Sequence, residues 1–136
     1  MDEETLRRIG TAKHTEIFGA DVAQWREKFR NINSDAVDYL MKYCFGAYYC
    51  RPGVELKVRE LCTVAALAVL GRWPQLKSHI GGALRVGASK EEVTEILLQM
   101  QNYAGWPVTL TGLEVASEAF ASFDAELESN KQGDSK

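Results

Sequence analysis

Hydrophobic residues recur along this chain at spacings of three and four rather than two, which is the period of a helix face and not of a strand. With no sustained apolar/polar alternation and only three prolines, the pattern predicts an all-α fold of about six to seven helices. A polar helix is expected from Asp2 to about Phe18. Asp21, with Gln24 three positions on, reads as a capping box for a second helix carrying Val22, Trp25 and Phe29. Asn33 is expected to cap a third, Ser34 to about Tyr49. Its apolar stripe is Val37, Leu40, Met41, Cys44 and Phe45. The aromatic residues Tyr43, Phe45, Tyr48 and Tyr49 at its end fit either packing or the lining of a pocket.

The densest apolar run is Leu61 to Leu70, interrupted only by Cys62 and Thr63. Arg59–Glu60 opens it, and Gly71–Arg72–Trp73–Pro74 closes it. After an Arg51–Pro52–Gly53 turn, a fourth helix is therefore expected from about Glu55 to Leu70. Beyond Leu61 it is apolar nearly all round and needs cover on every side, most easily by self-association. Pro74 suits the first turn of a fifth helix that runs to Val86 and ends at Gly87. Gly81–Gly82 in its middle cost about 1 kcal/mol each against alanine, which predicts close approach by another helix. Ser89 and Glu92 form a second capping box, followed by Val93, Ile96, Leu97 and Met100 on one face. The sixth helix is expected to stop near Tyr103–Ala104–Gly105. Pro107 then starts a seventh, with Leu110, Leu113, Ala116, Phe120, Phe123 and Leu127 facing inward. Residues 1–128 read as one domain, and the polar residues 129–136 as a disordered tail.

Composition narrows the class. A net charge of −3 leaves no basic footprint for nucleic acid. No segment reaches the ~18 apolar residues of a membrane span, and the acidic N-terminus lacks the apolar core of a secretory signal. Three cysteines without a CxxC spacing suggest neither a disulfide framework nor a zinc site. They read as reduced thiols in a cytoplasmic protein, with Cys62 a small core residue. No phosphate loop, nucleophile elbow or metal-ligand spacing is present.

Chemistry then falls to few residues. Of the two histidines, His14 on the polar first helix reads as a surface residue. His79 flanks the packed face formed by Leu76, Ile80 and Ala83, and is the group best suited to proton transfer near neutral pH. Glu60 precedes a wholly apolar run. Burial there makes it a candidate acid or base, the alternative being a salt bridge with Arg59 or Arg51. In an ideal antiparallel hairpin at ~1.5 Å per residue, Glu60 and His79 are offset along the axis by ~7 Å, so a crossed packing, a water or a substrate must close the gap.

Arg51–Pro52–Gly53, Arg59–Glu60–Leu61, Gln75–Leu76–Lys77–Ser78–His79, Gly87–Ala88–Ser89 with Glu91–Glu92, and Tyr103–Ala104–Gly105–Trp106–Pro107 together resemble the carboxymuconolactone decarboxylase family of the AhpD-like superfamily. The match runs from Phe29 to about Phe120. The resemblance implies an AhpD-like helical bundle in a ring-shaped homo-oligomer, a hexamer built as a trimer of dimers. It implies a carboxy-lyase of aromatic compound catabolism that acts on a small carboxylated lactone and needs no metal and no organic cofactor. The peroxidase relatives use a glutamate, a histidine and a CxxC pair. Glu60 and His79 match the first two, whereas Arg72 and Gln75 occupy the cysteine positions, so a disulfide relay is not expected. Two positions depart from the dedicated decarboxylases: Glu60 stands where they tend to carry a small residue, and Gln99 where they tend to carry a second histidine.

The resulting expectation is His79 as proton-transfer residue, Glu60 as its partner or a second acid, and Arg51 or Arg72 as carboxylate anchor. Trp73, Gln75, Gln99 and Tyr103 complete the substrate-binding set, with no metal ligand. Alternatives are acid–base chemistry (decarboxylation, isomerisation or cyclisation) on a different small organic substrate, or a non-catalytic ligand-binding helical oligomer.

Overall fold

The computed structural model describes residues 1–134, and every regular element among them is a helix. The contacts divide the chain into two compact units, one of Met1–Arg59 and one that begins at Glu60, where the sequence reads as a single domain.

In the first unit α1 (Glu3–Phe18) is capped by Asp2, whose carboxylate accepts from the Thr5 amide. The α2 helix is Val22–Ile32. Asp21 does not cap it as expected: its backbone is already in the right-handed helical region, not the extended conformation from which a cap side chain reaches back. Asn33 does cap α3 (Ser34–Tyr39), accepting from the Ala36 amide at 2.9 Å. The expected continuous third helix changes pitch at Leu40, and Leu40–Tyr49 is a π-helix. That stretch packs along α1, with Gly10 and Gly46 at the crossing. A Cβ at Gly10 would run into the Met41 carbonyl and lie 2.7 Å from the Gly46 nitrogen. Ile17, Val37, Met41 and Phe45 form the apolar interior. At its edge the buried Lys42 ammonium pairs with Asp38 at 2.7 Å and Glu3 at 3.0 Å, and Arg7 pairs with Asp38 and Glu4.

The α4 helix (Leu56–Val69) runs across the division between the units. Its buried positions are Glu60, Val64 and Ala68, four apart on one stripe. Among the described residues the all-round cover expected for this segment is incomplete: Cys62, Val69 and Leu70 are exposed. Cys62, two residues from Glu60 and Val64, lies off that stripe and is not a core residue.

In the second unit α5 (Trp73–Arg85) starts with Pro74 in its first turn. Gly87, at φ +108°, ends the segment. Gly82 is buried, whereas a Cβ at Gly81 would meet only the Arg85 guanidinium, at 3.5 Å, so among the described residues no other helix crosses closely at Gly81. The capping box of α6 (Lys90–Gln99) is complete, with Glu92 N to Ser89 Oγ at 2.9 Å and Ser89 N to Glu92 Oε1 at 3.3 Å. A short α7 (Gln101–Ala104) and Gly105 at φ +86° lead into α8, Trp106–Asp134. Helices α5, α6 and α7 pack on α8 around Leu76, Ile80, Ala83, Val93, Leu97, Ala116 and Ala119. Ion pairs Arg85–Glu126 and Lys90–Asp124 tie α8 at the edge.

Two expectations for this helix are corrected. Leu110 and Leu127 point outward, while Leu113, Phe120 and Phe123 pack against the core. The supposed disordered stretch from residue 129 is helical to Asp134. It carries no proline, and Glu128 and Lys131 pair one turn apart. Residues 135 and 136 of that stretch lie outside the described residues.

Candidate active site

The stripe that buries α4 carries a carboxylate. Glu60 occupies its first core position, and the side chain is 0% exposed. On α5, Leu76, Ile80 and Ala83 are fully buried, and His79 sits at the edge of their face, 17% exposed at the side chain. The two meet directly: Glu60 Oε2 lies 2.9 Å from His79 Nδ1. Side chains reaching from both helices close the axial offset of the ideal hairpin, so no bridging group is needed. The salt bridge of Glu60 with Arg59 or Arg51 is replaced by this contact, while Arg59 donates through Nη2 to the Arg51 carbonyl at 3.0 Å.

One proton is shared in this pair. Either the ring donates from Nδ1 to the carboxylate, or a carboxyl proton on Oε2 is donated to the ring. A buried carboxylate is unfavourable alone and strengthens a charge-assisted bond. The arrangement therefore fixes the orientation of the ring. The other carboxylate oxygen, Oε1, is also buried and makes no hydrogen bond to the protein.

The remaining expected site residues differ in exposure and in the element that carries them. Arg72 is exposed at the N-cap of α5, Trp73 is partly buried against the core, and Gln75 is exposed in the first turn. Gln99 lines an open depression of about 410 Å³ with Glu95, Ile96, Leu98, Gln101 and Asn102. That lining includes neither Glu60 nor His79. Tyr103 is 75% exposed on α7. Arg51 is exposed in the turn of the first unit. No cluster of three metal-ligating side chains occurs among the described residues, and no described helix is long and apolar enough to cross a membrane.

Sequence reasoning missed a second buried polar group. His14 is not a surface residue: it is packed among Phe18, Trp25 and Phe45, with Arg26 Nη1 3.0 Å from its Nδ1. The signal was present, since Arg26 stands four after Val22 and three before Phe29, on the apolar face of α2.

Among the described residues, an all-helical framework holds a glutamate–histidine pair of the kind that can carry acid–base chemistry. A family model described as the carboxymuconolactone decarboxylase family matches residues 34–118, and the chain belongs to that family. It is 30% identical over 121 residues to the 4-carboxymuconolactone decarboxylase of Acinetobacter baylyi, covering 88% of this chain and 90% of that one. It is 35% identical over 89 residues to an uncharacterized 15.0 kDa protein of Paracoccus denitrificans, covering 64% and 66%. It is also 26% identical over 81 residues to the nitrosuccinic acid decarboxylase of Metarhizium robertsii, covering 60% and 57%.

Proposed function

We propose that this chain is a cofactor-independent carboxy-lyase in which His79 and Glu60 move the proton and an acceptor group of the substrate takes the electron pair. The observation that carries the reading is the 2.9 Å contact between a partly exposed imidazole and a fully buried carboxylate. The carbon–carboxylate bond breaks heterolytically and carbon dioxide leaves. The electron pair delocalises onto a lactone carbonyl as a dienolate, and His79 returns a proton to carbon from Nε2. Glu60, bonded at Nδ1, stabilises the imidazolium that delivers it. Arg51 or Arg72 would hold a substrate carboxylate through a bidentate fork.

The substrate class follows from two relatives named as decarboxylases. Nitrosuccinic acid, like a carboxylated lactone, bears a carboxylate whose loss leaves a carbanion delocalised onto an acceptor, there a nitro group. A small carboxylate carrying such a sink is the substrate we assign, with 4-carboxymuconolactone first. The half-open apolar face of α4 at Val69 and Leu70 supports a homo-oligomer, which we place at a hexamer by family resemblance. Three cysteines that form no disulfide support a cytoplasmic setting.

The test is carbon dioxide release from 4-carboxymuconolactone generated in situ, and separately from nitrosuccinic acid, by the parent and by His79→Asn. Asparagine keeps a donor near the Nδ1 position and removes Nε2. The expected result is turnover of one substrate that falls by about 10²–10⁴-fold in the variant. Turnover unchanged in His79→Asn removes His79 from the reaction, and no turnover of either compound by the parent removes both as substrates.

A further inference from the structure

Arg26 is the only buried residue of α2, 7% exposed. Its Nη1 donates to His14 Nδ1 at 3.0 Å and to Thr15 Oγ1 at 3.2 Å. A guanidinium offers donors only, so His14 receives this bond on the Nδ1 lone pair and carries its ring proton on Nε2. Both hydrogens of Nη1 are thereby engaged, and the plane of the guanidinium is fixed against α1.

The opposite edge of the fork, Nε and Nη2, keeps three N–H donors. Among the described residues no acid pairs with Arg26. Its pKa is lowered by burial first and then by the charge of Arg30, and no carboxylate offsets either. Among the described residues, the buried side-chain atoms that lack a partner do not include Nε or Nη2 of Arg26, and the residue keeps 7% of its surface exposed. Arg30, one turn on, adds positive potential and is itself held by Glu27 at 3.6 Å. Trp25 and Phe29 stack beside Arg26 on the same helix, ring centroids 4.4 Å apart, and both are partly exposed.

A buried cation is ordinarily paired, and arginine does not relieve burial by losing its proton. Two neutral acceptors on one nitrogen orient the group without neutralising it. We infer that the Nε–Nη2 edge of Arg26 is a carboxylate-binding site, preorganised by His14 and Thr15 and flanked by the Trp25–Phe29 pair. This edge matches a carboxylate in two parallel N–H···O bonds, and the stacked rings offer apolar surface to whatever carries it. The carboxylate belongs either to a free small acid or to an acidic side chain of a second copy of this chain.

The experiment is thermal melting of the full chain in sodium acetate and in sodium chloride at matched ionic strength, for the parent and for Arg26→Lys. Lysine keeps the charge and loses the fork. With a free acid as ligand, acetate at tenfold its dissociation constant raises the parent Tm by roughly 5 °C over chloride and leaves Arg26→Lys unmoved. An equal rise in both proteins overturns the site. With no rise in either, sedimentation velocity decides: association present in the parent and lost in Arg26→Lys assigns the carboxylate to a second copy, and equal association overturns the proposal. Should Arg26→Lys fail to fold, the Arg26 Nε–H resonance of the parent is followed during the acetate titration and by dilution. A saturable shift in either supports the site, and an unmoved signal in both overturns it.

Discussion

Removing His79 and removing the charge on Glu60 should have very unequal consequences for stability. In His79→Ala the Glu60 carboxylate stays where α4 puts it, 0% exposed, and loses the one hydrogen bond it makes, since Oε1 has none. A buried charge left without its partner costs about 3–5 kcal/mol. At roughly 4 °C per kcal/mol for a chain of this length, the Tm should drop by about 12–20 °C. In Glu60→Gln the shape is kept and the amide oxygen still accepts from Nδ1–H. The loss is the difference between a charge-assisted bond and a neutral one, about 1–2 kcal/mol, offset by the smaller desolvation of an amide. Stability should therefore change by about 1 kcal/mol or less. In the double variant Glu60→Gln/His79→Ala there is no stranded charge, so most of the damage of His79→Ala is recovered, a coupling of about 2–4 kcal/mol.

Urea unfolding of the four proteins at pH 7, followed by circular dichroism, measures that coupling. A coupling below about 0.5 kcal/mol, or His79→Ala equally harmful in both backgrounds, would refute the claim that Glu60 is held as a charged partner. The same set separates catalysis from folding. Glu60→Gln should lose roughly tenfold in turnover of whichever substrate the parent accepts, from about 1.4 kcal/mol of lost imidazolium stabilisation, while remaining folded.

Two further predictions concern the first unit. Asp38, bonded by Arg7 and then Lys42, has its pKa pushed down to about 2. Its stabilisation is present above the unfolded value of about 3.9 and lost as the pH falls through about 2. The Tm gap between parent and Asp38→Asn should be constant above pH 4 and close between pH 4 and 2; a gap unchanged at pH 2 would contradict this. Gly10→Ala drives a Cβ into the Met41 carbonyl and the Gly46 amide. Both are backbone groups that cannot swing away, so the loss in urea unfolding should reach about 3 kcal/mol, the upper end for overpacking. Gly53→Ala, with nothing within 4 Å of the new Cβ, serves as control and should be neutral or stabilising by up to about 1 kcal/mol.

Local signals were readable where they are self-contained. The Asn33 cap, the Ser89–Glu92 box and the helix starts at Pro74 and Pro107 each depend on a few neighbouring residues, and each appears in the structure. Features that depend on a partner element were not readable. The pitch change at Leu40 accompanies a crossing of Gly10 over Gly46, two glycines 36 positions apart with no mark on either. His14 was read as a surface residue because the first helix is polar, whereas Arg26 and the rings of Phe18, Trp25 and Phe45 bury it. Glu60 and His79 could be singled out by chemistry and by resemblance, but a straight hairpin keeps them apart. Their meeting depends on how α5 crosses α4 and on two long side chains. The proposed anchors Arg51 and Arg72 were chosen by charge alone, and the structure leaves both exposed.

The pair also offers a way to ask why a carboxylate occupies a core position at all. Val64 and Ala68, the next two residues on that stripe, are apolar and fully packed, and a leucine at position 60 would continue the stripe. Replacing a buried ion pair by apolar residues of similar volume is often neutral or stabilising by about 1–4 kcal/mol. Glu60→Leu/His79→Leu should therefore unfold at the parent urea concentration or above it, while turnover falls to background. That outcome would mean the position is kept polar for chemistry at the expense of stability, the conflict between local rule and fold that marks functional sites. A double variant less stable by several kcal/mol would mean the opposite: the Glu60–His79 contact specifies how α4 and α5 cross, and catalysis must be sought among other residues.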